Sequence, residues 1–400
     1  MTDLAALFAQ LSREPDLDAP ELQAHDATDR LLLETAARLL DAGGVDPSPS
    51  SPRIRAGELV TIGDRHGALT LGAAALLGAR GIRVHQDPLL GERALAANAE
   101  RLGLTGAFAH HALDASLLSG AKLVLLQLPR ALAELDELAQ AIARWADPQV
   151  VVLAGGRVKH MTHSMNAVLG RSFAEVAAGL AERKSRVLTA RVPRSSNELS
   201  EPRFPIWGGD PELPFALAAF GATFGGADLD HGSRLLLATL RADPPAFPGE
   251  GRVLRAPERI VDLGCGNGSL AVAAAGLFPG AEIVATDQSR AAVAATRLTA
   301  EAAGFAGRVE VVRADGAEAV PDGWAELILL NPPFHSGAAV HAGVAHRLIR
   351  QCARALAPGG ELRLVYNSHL GYRPLVERTI GPARELARTK SYTVVGAARR

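Results

Sequence analysis

The stretch from Ile328 to His335 carries the residues best suited to chemistry in this chain. It reads Ile-Leu-Leu-Asn-Pro-Pro-Phe-His, so an apolar run delivers an amide, two prolines and an aromatic ring to the end of a predicted strand. The Asn331 side-chain oxygen and the Pro332 carbonyl can each accept one hydrogen of an amino group, and the prolines keep both acceptors aimed. Phe334 offers a face on which a base can stack. These residues predict a site that binds a flat molecule through its exocyclic NH₂ group.

A glycine-rich loop lies 67 residues upstream of this stretch. The residues of the loop motif are Asp262, Gly264, Gly266 and Gly268. A strand is predicted over 259–263 and a helix over 269–278, and the glycines between them allow a tight turn and close approach of a ligand. Asp287 ends the next predicted strand, where a carboxylate suits a ribose diol. Loop and carboxylate also fit a dinucleotide-binding fold, and a structural turn with a helix cap is the other alternative.

Together the two motifs resemble the class I S-adenosylmethionine-dependent methyltransferases that modify amino groups. The resemblance implies S-adenosylmethionine as the cofactor, held by the glycine loop and Asp287. It also implies that Asp315, which follows a predicted strand over 309–312, meets the adenine amino group. The segment that begins at Phe224 is then expected against the methionine end of the cofactor. On local sequence alone, Asp315 fits a loop cap equally well and the Phe224 segment is a turn before a helix.

Composition sets the class of protein. The chain has 400 residues, 48% hydrophobic and 21% charged, which predicts a globular protein of two domains rather than one core. The net charge of −1 gives no overall signature of nucleic-acid binding, although a local basic patch remains compatible with it. Cys265 and Cys352 form no metal-ligand spacing, so we expect no metal and a reduced, cytoplasmic setting. Neither a signal peptide nor a membrane span is predicted.

Residues 193–214 are rich in proline, serine and glycine, and we interpret them as a linker. They separate a domain over 1–192 from a domain over 215–400. Both parts alternate short Val, Ile and Leu runs with Ala-rich helical stretches. This pattern predicts α/β domains with parallel sheets covered by helices.

The two halves match each other at a nearly constant offset of about 200 residues, which predicts a duplication. The matched pairs are Gly63 and Gly67 with Gly264 and Gly268, Asp87 with Asp287, 102–104 with 303–305, 127–130 with 331–334, and 155–156 with 359–360. Glycine after strands is common to parallel α/β domains, which explains single matches but not the whole series.

The copies differ where chemistry is expected. Arg65 and His66 stand where the second half has Gly266 and Asn267, and Gln127 and Arg130 stand in place of Asn331 and Phe334. An arginine occupies space that a ligand against the loop needs. We therefore predict two tandem Rossmann-like class I methyltransferase domains, of which the N-terminal one is degenerate and has lost its cofactor site.

The resemblance narrows to the ribosomal RNA guanine-N2 methyltransferases. It rests on the Asn-Pro-Pro-Phe-His motif, the degenerate first domain and a predicted C-terminal strand over 390–395. The stretches 128–132 and 156–164 are closer to the enzymes of the large subunit (23S) than to their relatives of the small subunit (16S). The amine motif is shared with adenine-N6, cytosine-N4 and glutamine-N5 methyltransferases, and these acceptors stay open as alternatives. So does a non-enzymatic RNA-binding or ribosome assembly factor that keeps the fold.

A basic stretch near the end of the first half is a candidate RNA contact. Its members are Arg183, Lys184, Arg186, Arg191 and Arg194. A solvated helix end and linker explains any one of them equally well. As partners we expect ribosomal RNA or an assembling ribosomal subunit.

Overall fold

The computed structural model describes residues 4–16, 22–42, 54–195, 197–199, 201–249, 254–332 and 338–400, and the side chains of these residues except those of 338–342. The chain divides into two compact units, Met1–Phe204 and Pro205–Arg400, here called the N-terminal unit and the C-terminal unit. The boundary falls inside residues 193–214, which also contain a short strand, Ile206–Gly208.

The N-terminal unit is built from alternating helices and strands. Its helices are α1 Leu4–Phe8, α2 Ala27–Ala42, α3 Ala68–Leu76, α4 Leu89–Arg101, α5 Ala115–Leu118, α6 Leu132–Trp145 and α7 His163–Gly170. Its strands are β1 Leu59–Ile62, β2 Ile82–His85, β3 Phe108–His110, β4 Leu123–Gln127, β5 Val151–Arg157, β6 Phe173–Ala178 and β7 Ser185–Pro193.

The C-terminal unit repeats this alternation after two short hairpin-like pairs. Its helices are α8 His231–Ala242, α9 Ser269–Leu277, α10 Arg290–Ala302, α11 Ala338–Ala355 and α12 Arg373–Thr379. Its strands are β8 Ile206–Gly208, β9 Leu217–Ala219, β10 Phe247–Pro248, β11 Leu254–Arg255, β12 Arg259–Leu263, β13 Glu282–Asp287, β14 Val309–Arg313, β15 Ala325–Leu330, β16 Leu356–Asn367, β17 Ala383–Arg388 and β18 Tyr392–Ala398.

Within the described ranges each unit forms one seven-stranded sheet, and the two sheets have the same strand order. The orders are β3-β2-β1-β4-β5-β7-β6 and β14-β13-β12-β15-β16-β18-β17. The first five strands of each sheet are parallel, while β7 and β18 run antiparallel to both neighbours. The tandem Rossmann-like prediction is thus confirmed.

The strand order explains how distant motifs come together. In the C-terminal unit β12 lies between β13 and β15, so the chain leaves β12 towards one edge and later returns to its other side. Such a switch point opens a crevice at the carboxyl ends of the strands. The glycine loop follows β12 and Asn331 follows β15, which places both at this crevice although they are far apart in sequence.

Burial on both faces fixes the register of the central strand β15, whose six residues are all buried. Leu327 and Leu329 join the cluster that includes Leu236 of α8 and Leu270 of α9. Ile328 and Leu330 join the cluster on the other face, with residues of α11 and α12. Full burial of such a side chain contributes roughly 1.5–3 kcal/mol, and a shift by one residue would exchange the faces. The position of Asn331 is therefore determined by packing.

Three of the matches between the halves are confirmed by equivalent geometry. Gly67 and Gly268 both adopt the left-handed conformation, with φ of 95° and 83°, at the start of α3 and α9. The same backbone hydrogen bond is found after α4 and after α10: Leu104 N donates to Ala99 O at 2.8 Å, and Phe305 N donates to Ala300 O at 2.7 Å. Gln127 and Asn331 are equivalent in register, since each comes directly after the partner of the last residue of β1 or β12: Leu126 lies opposite Ile62 and Leu330 lies opposite Leu263.

Two of the matches are wrong in register. Gly63 N donates to His85 O at 3.0 Å, and Gly264 N donates to Thr286 O at 2.8 Å. The residue after the acceptor is Gln86 in one half and Asp287 in the other, so Gln86, not Asp87, is the counterpart of Asp287.

The glycine pairs at 155–156 and 359–360 are also not equivalent. Gly155 lies opposite Gln127 at the carboxyl end of the sheet. The second pair precedes Glu361, which lies opposite Leu327 near the start of β15. Both errors have one cause, since the offset between the halves changes along the chain and glycine spacing does not report it.

Among the described helices, none combines the length and the apolar character that crossing a membrane requires.

Candidate active site

The loop between β12 and α9 leaves open space above its backbone. Gly264 and Gly266 have φ of 82° and 57°, a conformation that favours glycine. A Cβ built on either residue meets no heavy atom of the described chain within 4 Å. At Gly268 a Cβ would lie 3.1 Å from Thr296 Cα, so this glycine serves the close packing of α9 on α10. The first two glycines let a ligand lie against the loop, and the third holds the loop to the fold.

Asp287 lies at the end of β13 beside this loop. Its Oδ2 accepts from Gly266 N at 3.1 Å and its Oδ1 accepts from Ser289 N at 2.9 Å. The side chain is half-buried. A carboxylate has about four lone-pair positions, and its place beside the loop suits a hydroxyl pair.

Asp262 has a different position from that expected of a ligand-facing residue. It is 0% exposed, and its Oδ2 accepts from Ala271 N at 2.9 Å at the start of α9. Its Oδ1 has no hydrogen-bond partner among the described residues. Burial raises the pKa of Asp262 to about 7. The carboxyl therefore supports the loop from beneath, and any effect on a cofactor passes through the loop.

Asn267 connects the loop to the segment after Phe224, a role that the sequence did not reveal. Its Nδ2 donates to Gly226 O at 3.0 Å and to Asp228 O at 2.9 Å. Phe224 is 45% exposed at the start of this segment. The Phe224 segment is thus tied to the glycine loop, and its place at the methionine end of the cofactor stays a prediction. An Asn flanked by glycines was the available signal.

The amide of Asn331 is held in one orientation. Its Nδ2 donates to Asp230 Oδ2 at 2.9 Å and to Ser233 Oγ at 3.0 Å. Asp230 also caps α8, since the same oxygen accepts from Gly232 N at 2.9 Å and from Ser233 N at 3.2 Å. Because the amide nitrogen is used in this network, Oδ1 is the group left to accept from a ligand.

Asp230 and Ser233 were missed by sequence reasoning, because a helix cap and a substrate-positioning residue have the same local pattern. Of the other residues in the motif, Pro332 is buried next to Asn331. Phe334 lies outside the described residues, so its predicted stacking role stays a prediction.

Asp315 follows β14 at the same edge of the sheet. Ala314 N donates to the backbone oxygen of Asp287 at 2.9 Å, which fixes the two acidic residues as neighbours along this edge. Asp315 Oδ2 lies 3.0 Å from an Arg347 guanidinium nitrogen of α11, and its backbone N donates to Glu318 Oε1 at 2.9 Å. The carboxylate is therefore held in place by a cation that the sequence did not connect with it.

These residues fit S-adenosylmethionine. The unfilled space over Gly264 and Gly266 accommodates a ligand that lies along the backbone. Asp287 suits the ribose diol and Asp315 suits an amino group further along the edge. In the part of the chain that the structure describes, no group of three or more His, Cys, Asp or Glu side chains is arranged to hold a metal ion.

The structure does not bring the predicted basic stretch onto one face. Arg186 and Arg191 are both in β7 but an odd number of residues apart, so their side chains point to opposite faces of the sheet. Arg183 forms an ion pair with Glu34 at 3.0 Å. Arg194 donates to the backbone oxygen of Gly170 at 3.2 and 3.3 Å. Lys184 is exposed in the turn before β7.

A second basic group was not predicted. Arg130 follows β4, Arg157 ends β5, and Lys159 lies two residues further on. Desolvation, followed by the charges of these three side chains, lowers the pKa of the exposed His160. The three residues are separated by up to 29 positions in sequence. Only the adjacency of β4 and β5 makes them neighbours.

Comparison with known proteins finds a matching family model for each of the two units. Residues 215–396 match the family model "Methyltransferase small domain", and residues 1–194 match the model "RLMG N-terminal domain". A solved T. thermophilus 16S rRNA N2 G1207 methyltransferase, in complex with AdoMet and guanosine, superposes with a TM-score of 0.72 at 22% identity. The match covers 98% of this chain and 100% of that chain, and it concerns the fold.

Curated relatives are similar over their full length. A protein of Streptomyces coelicolor named ribosomal RNA large subunit methyltransferase G is 32% identical over 394 residues, which is 97% of each chain. Proteins with the same name from Pseudomonas aeruginosa and Shewanella amazonensis are 33% and 30% identical, covering 98% and 97% of this chain and 98% and 95% of their own. On this similarity the chain belongs to the ribosomal RNA large subunit methyltransferase G family.

Proposed function

We propose that this protein transfers a methyl group from S-adenosylmethionine to the exocyclic N2 amine of a guanine in ribosomal RNA. The observation that carries the proposal is the Asn331 amide at the switch point, with its nitrogen engaged by Asp230 and Ser233 and its oxygen available. The 23S RNA of the large subunit is the favoured substrate and 16S RNA the second candidate. Family membership makes the chain a methyltransferase rather than a non-enzymatic assembly factor.

The acceptor amine is oriented by two oxygens. An aryl amine is a poor nucleophile because its lone pair is delocalised into the ring. Asn331 Oδ1 and the Pro332 carbonyl each accept one amine hydrogen, which holds the NH₂ group so that its lone pair faces the methyl donor. Placement of reacting atoms in this manner supplies most of the rate acceleration.

No strong base is needed before the attack. When bound, S-adenosylmethionine would supply a methyl group on a sulfonium, and its sulfur would become a neutral thioether as the amine nitrogen forms the new bond to carbon. The nitrogen becomes cationic and then loses a proton to an oxygen acceptor or to water. Asn331 thus holds the amine through the step without taking the proton.

The cofactor is held by residues of three neighbouring strand ends. Gly264 and Gly266 give it room along the backbone, Asp287 binds the ribose hydroxyls and Asp315 binds the adenine amine. The Phe224 segment, tied to the loop by Asn267, lies at the methionine end.

The N-terminal unit is the proposed source of RNA recognition, because one guanine among thousands must be selected by contacts beyond the pocket. The substrate is either protein-free ribosomal RNA or an assembling ribosomal subunit. In both cases the target base leaves its stack to enter the pocket.

The test is mass mapping of ribosomal RNA from a strain that lacks the gene. We expect one N2-methylguanine to disappear from 23S RNA and to return when purified protein and S-adenosylmethionine are added. A matching RNA with inosine at the target position, which lacks the N2 amine, serves as the control and should accept no methyl group. A lost methyl group on adenine N6 or cytosine N4, or an unchanged RNA, would overturn the proposal.

A further inference from the structure

The N-terminal unit contains a cavity of about 460 Å³ at the carboxyl ends of its parallel strands. This is the same place in the fold as the candidate active site of the C-terminal unit. Its lining includes the ends of β2, β4 and β5 and the start of α2. The degenerate copy has therefore lost the motif residues but not the space.

The cavity keeps an oriented amide. Gln127 is the counterpart of Asn331, and its Nε2 donates to Asp29 Oδ1 at 2.5 Å. Asp29 lies three residues after Asp26, whose side chain accepts from Thr28 N at 2.6 Å at the start of α2. In the same way, Ser233 lies three residues after Asp230, the cap of α8. Each unit thus uses a side chain from the first turn of one helix to hold the amide nitrogen. As with Asn331, the amide oxygen is the group left to accept from a ligand.

The groups that hold this amide are built into the fold. Asp29 is 5% exposed, and its Oδ2 accepts from Asp26 N at 2.7 Å. Burial, followed by the nearby charge of Asp64, raises the pKa of Asp29 to about 8.

The cofactor chemistry is missing from this cavity. Gln86 replaces Asp287, and its amide is turned against α4, where a Cβ on Gly91 would lie 2.4 Å from Gln86 Oε1. Arg65 replaces Gly266, and its side chain lines the cavity. A ribose carboxylate and a bare glycine backbone are therefore both absent from the equivalent positions of this described loop.

The cavity carries charges of both signs, since the carboxylates of Asp26, Asp64, Asp87 and Glu134 line it as well as arginines. Its exposed cations are grouped after β4 and β5: Arg130 is exposed, Arg157 is half-buried, and the exposed Lys159 follows in the short helix Val158–His160. Desolvation, followed by the charges of these three side chains, lowers the pKa of His160, which also lines the cavity. Guanidinium groups suit phosphate recognition. The amide oxygen in the cavity suits the amine of a base, and the cations suit the phosphate of the same nucleotide.

We propose that this cavity binds one unstacked nucleotide of RNA and holds it without modifying it. The base presents an exocyclic amine to Gln127 Oε1, and the adjoining phosphates lie on Arg130, Arg157 and Lys159. The inference rests on the proposed function, since it takes RNA as the substrate. It adds a second base-binding site, in the unit that lacks the residues expected to hold the methyl donor.

Monomer binding tests the site itself. The full-length protein is titrated with CMP and UMP by calorimetry, because these differ in an amine against a carbonyl and neither is the guanine of the active site. We expect CMP to bind about three- to tenfold more tightly than UMP, the value of one hydrogen bond. Gln127→Leu should remove the preference, and the matched variant Asn331→Leu should keep it.

Oligonucleotide binding tests the phosphate contacts. A single-stranded RNA of cytidines should bind more tightly than CMP, and Arg157→Ala should lower the slope of log affinity against log salt by about 1. Arg38→Ala, an exposed arginine further along α2, is the control and should change neither value. Arg157→Ala also tests the site independently if Gln127→Leu fails to fold.

Each other outcome overturns the inference. Equal binding of CMP and UMP excludes the amine contact, equal binding of CMP and the oligonucleotide assigns the cavity to a free nucleotide, and a second S-adenosylmethionine per chain assigns it to the cofactor. None of these measurements uses methylation. Failure of the proposed function would appear in the rRNA mapping instead, with the CMP preference intact.

Discussion

The two units of this chain share one architecture but differ in the residues in and beneath the loop that follows the first strand of each sheet. Beneath the loop of the C-terminal unit, the buried carboxyl of Asp262 accepts from Ala271 N. At the same positions of the N-terminal unit, Thr61 and Thr70 form a hydroxyl pair at 2.7 Å. In the loop itself, Asn267 ties the Phe224 segment, while His66 in its place contacts Asp16 at 3.3 Å. The difference teaches that the strand order and helix-start glycines maintain the fold, whereas the residues around them determine whether a methyl donor can bind.

The largest expected effect is on the methylation rate, and it distinguishes the amide of Asn331 from that of Gln127. Asn331→Ala removes the acceptor for the amine, and we expect methylation to fall at least about 100-fold because the amine is no longer aligned. The cofactor dissociation constant should change little. Single-turnover assays with radiolabelled donor, together with calorimetry, measure the two quantities. Gln127→Ala is the matched variant and should leave the methylation rate at saturating RNA unchanged. Equal losses in both variants would remove the distinction between the units.

The next effect concerns cofactor binding. Asp287→Ala should raise the dissociation constant of S-adenosylmethionine by roughly one to two decades, the value of hydrogen bonds to a charged group. Gln86→Ala, at the equivalent position, should have no effect on it. Calorimetry should also give one cofactor per chain. A stoichiometry of two, or an effect of the Gln86 variant, would contradict the loss of the site in the N-terminal unit.

RNA binding tests the basic stretch that the sequence predicted. Replacement of Lys184, Arg186 and Arg191 by Ala should weaken RNA binding roughly tenfold and lower its salt slope by about 0.7–0.9 for each lost phosphate contact. Cofactor binding should stay the same. A control with Arg38, Arg55 and Arg378 replaced removes the same charge from other exposed positions.

Single replacements sharpen this test, since Arg186 and Arg191 lie on opposite faces of β7. We expect one of the two to account for most of the change, as measured by filter binding over a salt series. If the control triple variant weakens binding equally, the effect is one of net charge and not of a site.

The smallest effect is one of stability. The pKa of Asp262 is about 7 in the folded protein, above its ordinary value of 3.8, so folding favours the protonated form. This group therefore destabilises the fold progressively as pH rises from about 4 to 7, and fully above pH 7. Asp262→Asn keeps the acceptor for Ala271 N and removes the charge. We expect its melting temperature to exceed that of the parent by a few degrees at pH 8 and by less at pH 5.

Thr61→Val gives the comparison in the N-terminal unit. It removes the hydroxyl pair with Thr70 and should lower the melting temperature equally at both pH values, because no titratable group is lost. Calorimetric scans at the two pH values make the measurement. An Asp262→Asn variant whose gain is the same at pH 5 and pH 8 would show that the carboxyl is not the source of the pH dependence.

Much of the site was predictable because its signals are local. The glycine spacing, Asp287 and the Asn-Pro-Pro-Phe motif each lie at or directly after the end of a strand. The predicted strands over 259–263 and 309–312 agree with β12 and β14 to within one residue. The last strand begins at Tyr392, two residues later than predicted. The roles of Asp230 and Ser233 were not predictable, since caps and loop polar residues look alike until their partners are known. For Asn267 the flanking glycines were a signal, but they did not identify its partners Gly226 and Asp228.

The sequence by itself determined the two-copy α/β architecture and the chemistry of one strand end, because hydrophobic periodicity and short motifs act over a few residues. Tertiary structure alone decided which residues are equivalent between the copies and which side chains share a face. Gln86, not Asp87, stands at the position of Asp287, and Arg186 and Arg191 are separated by the sheet. The physical reason is strand register: hydrogen bonds between strands and burial on both faces set it, and a change of one residue moves a side chain to the other side of the sheet.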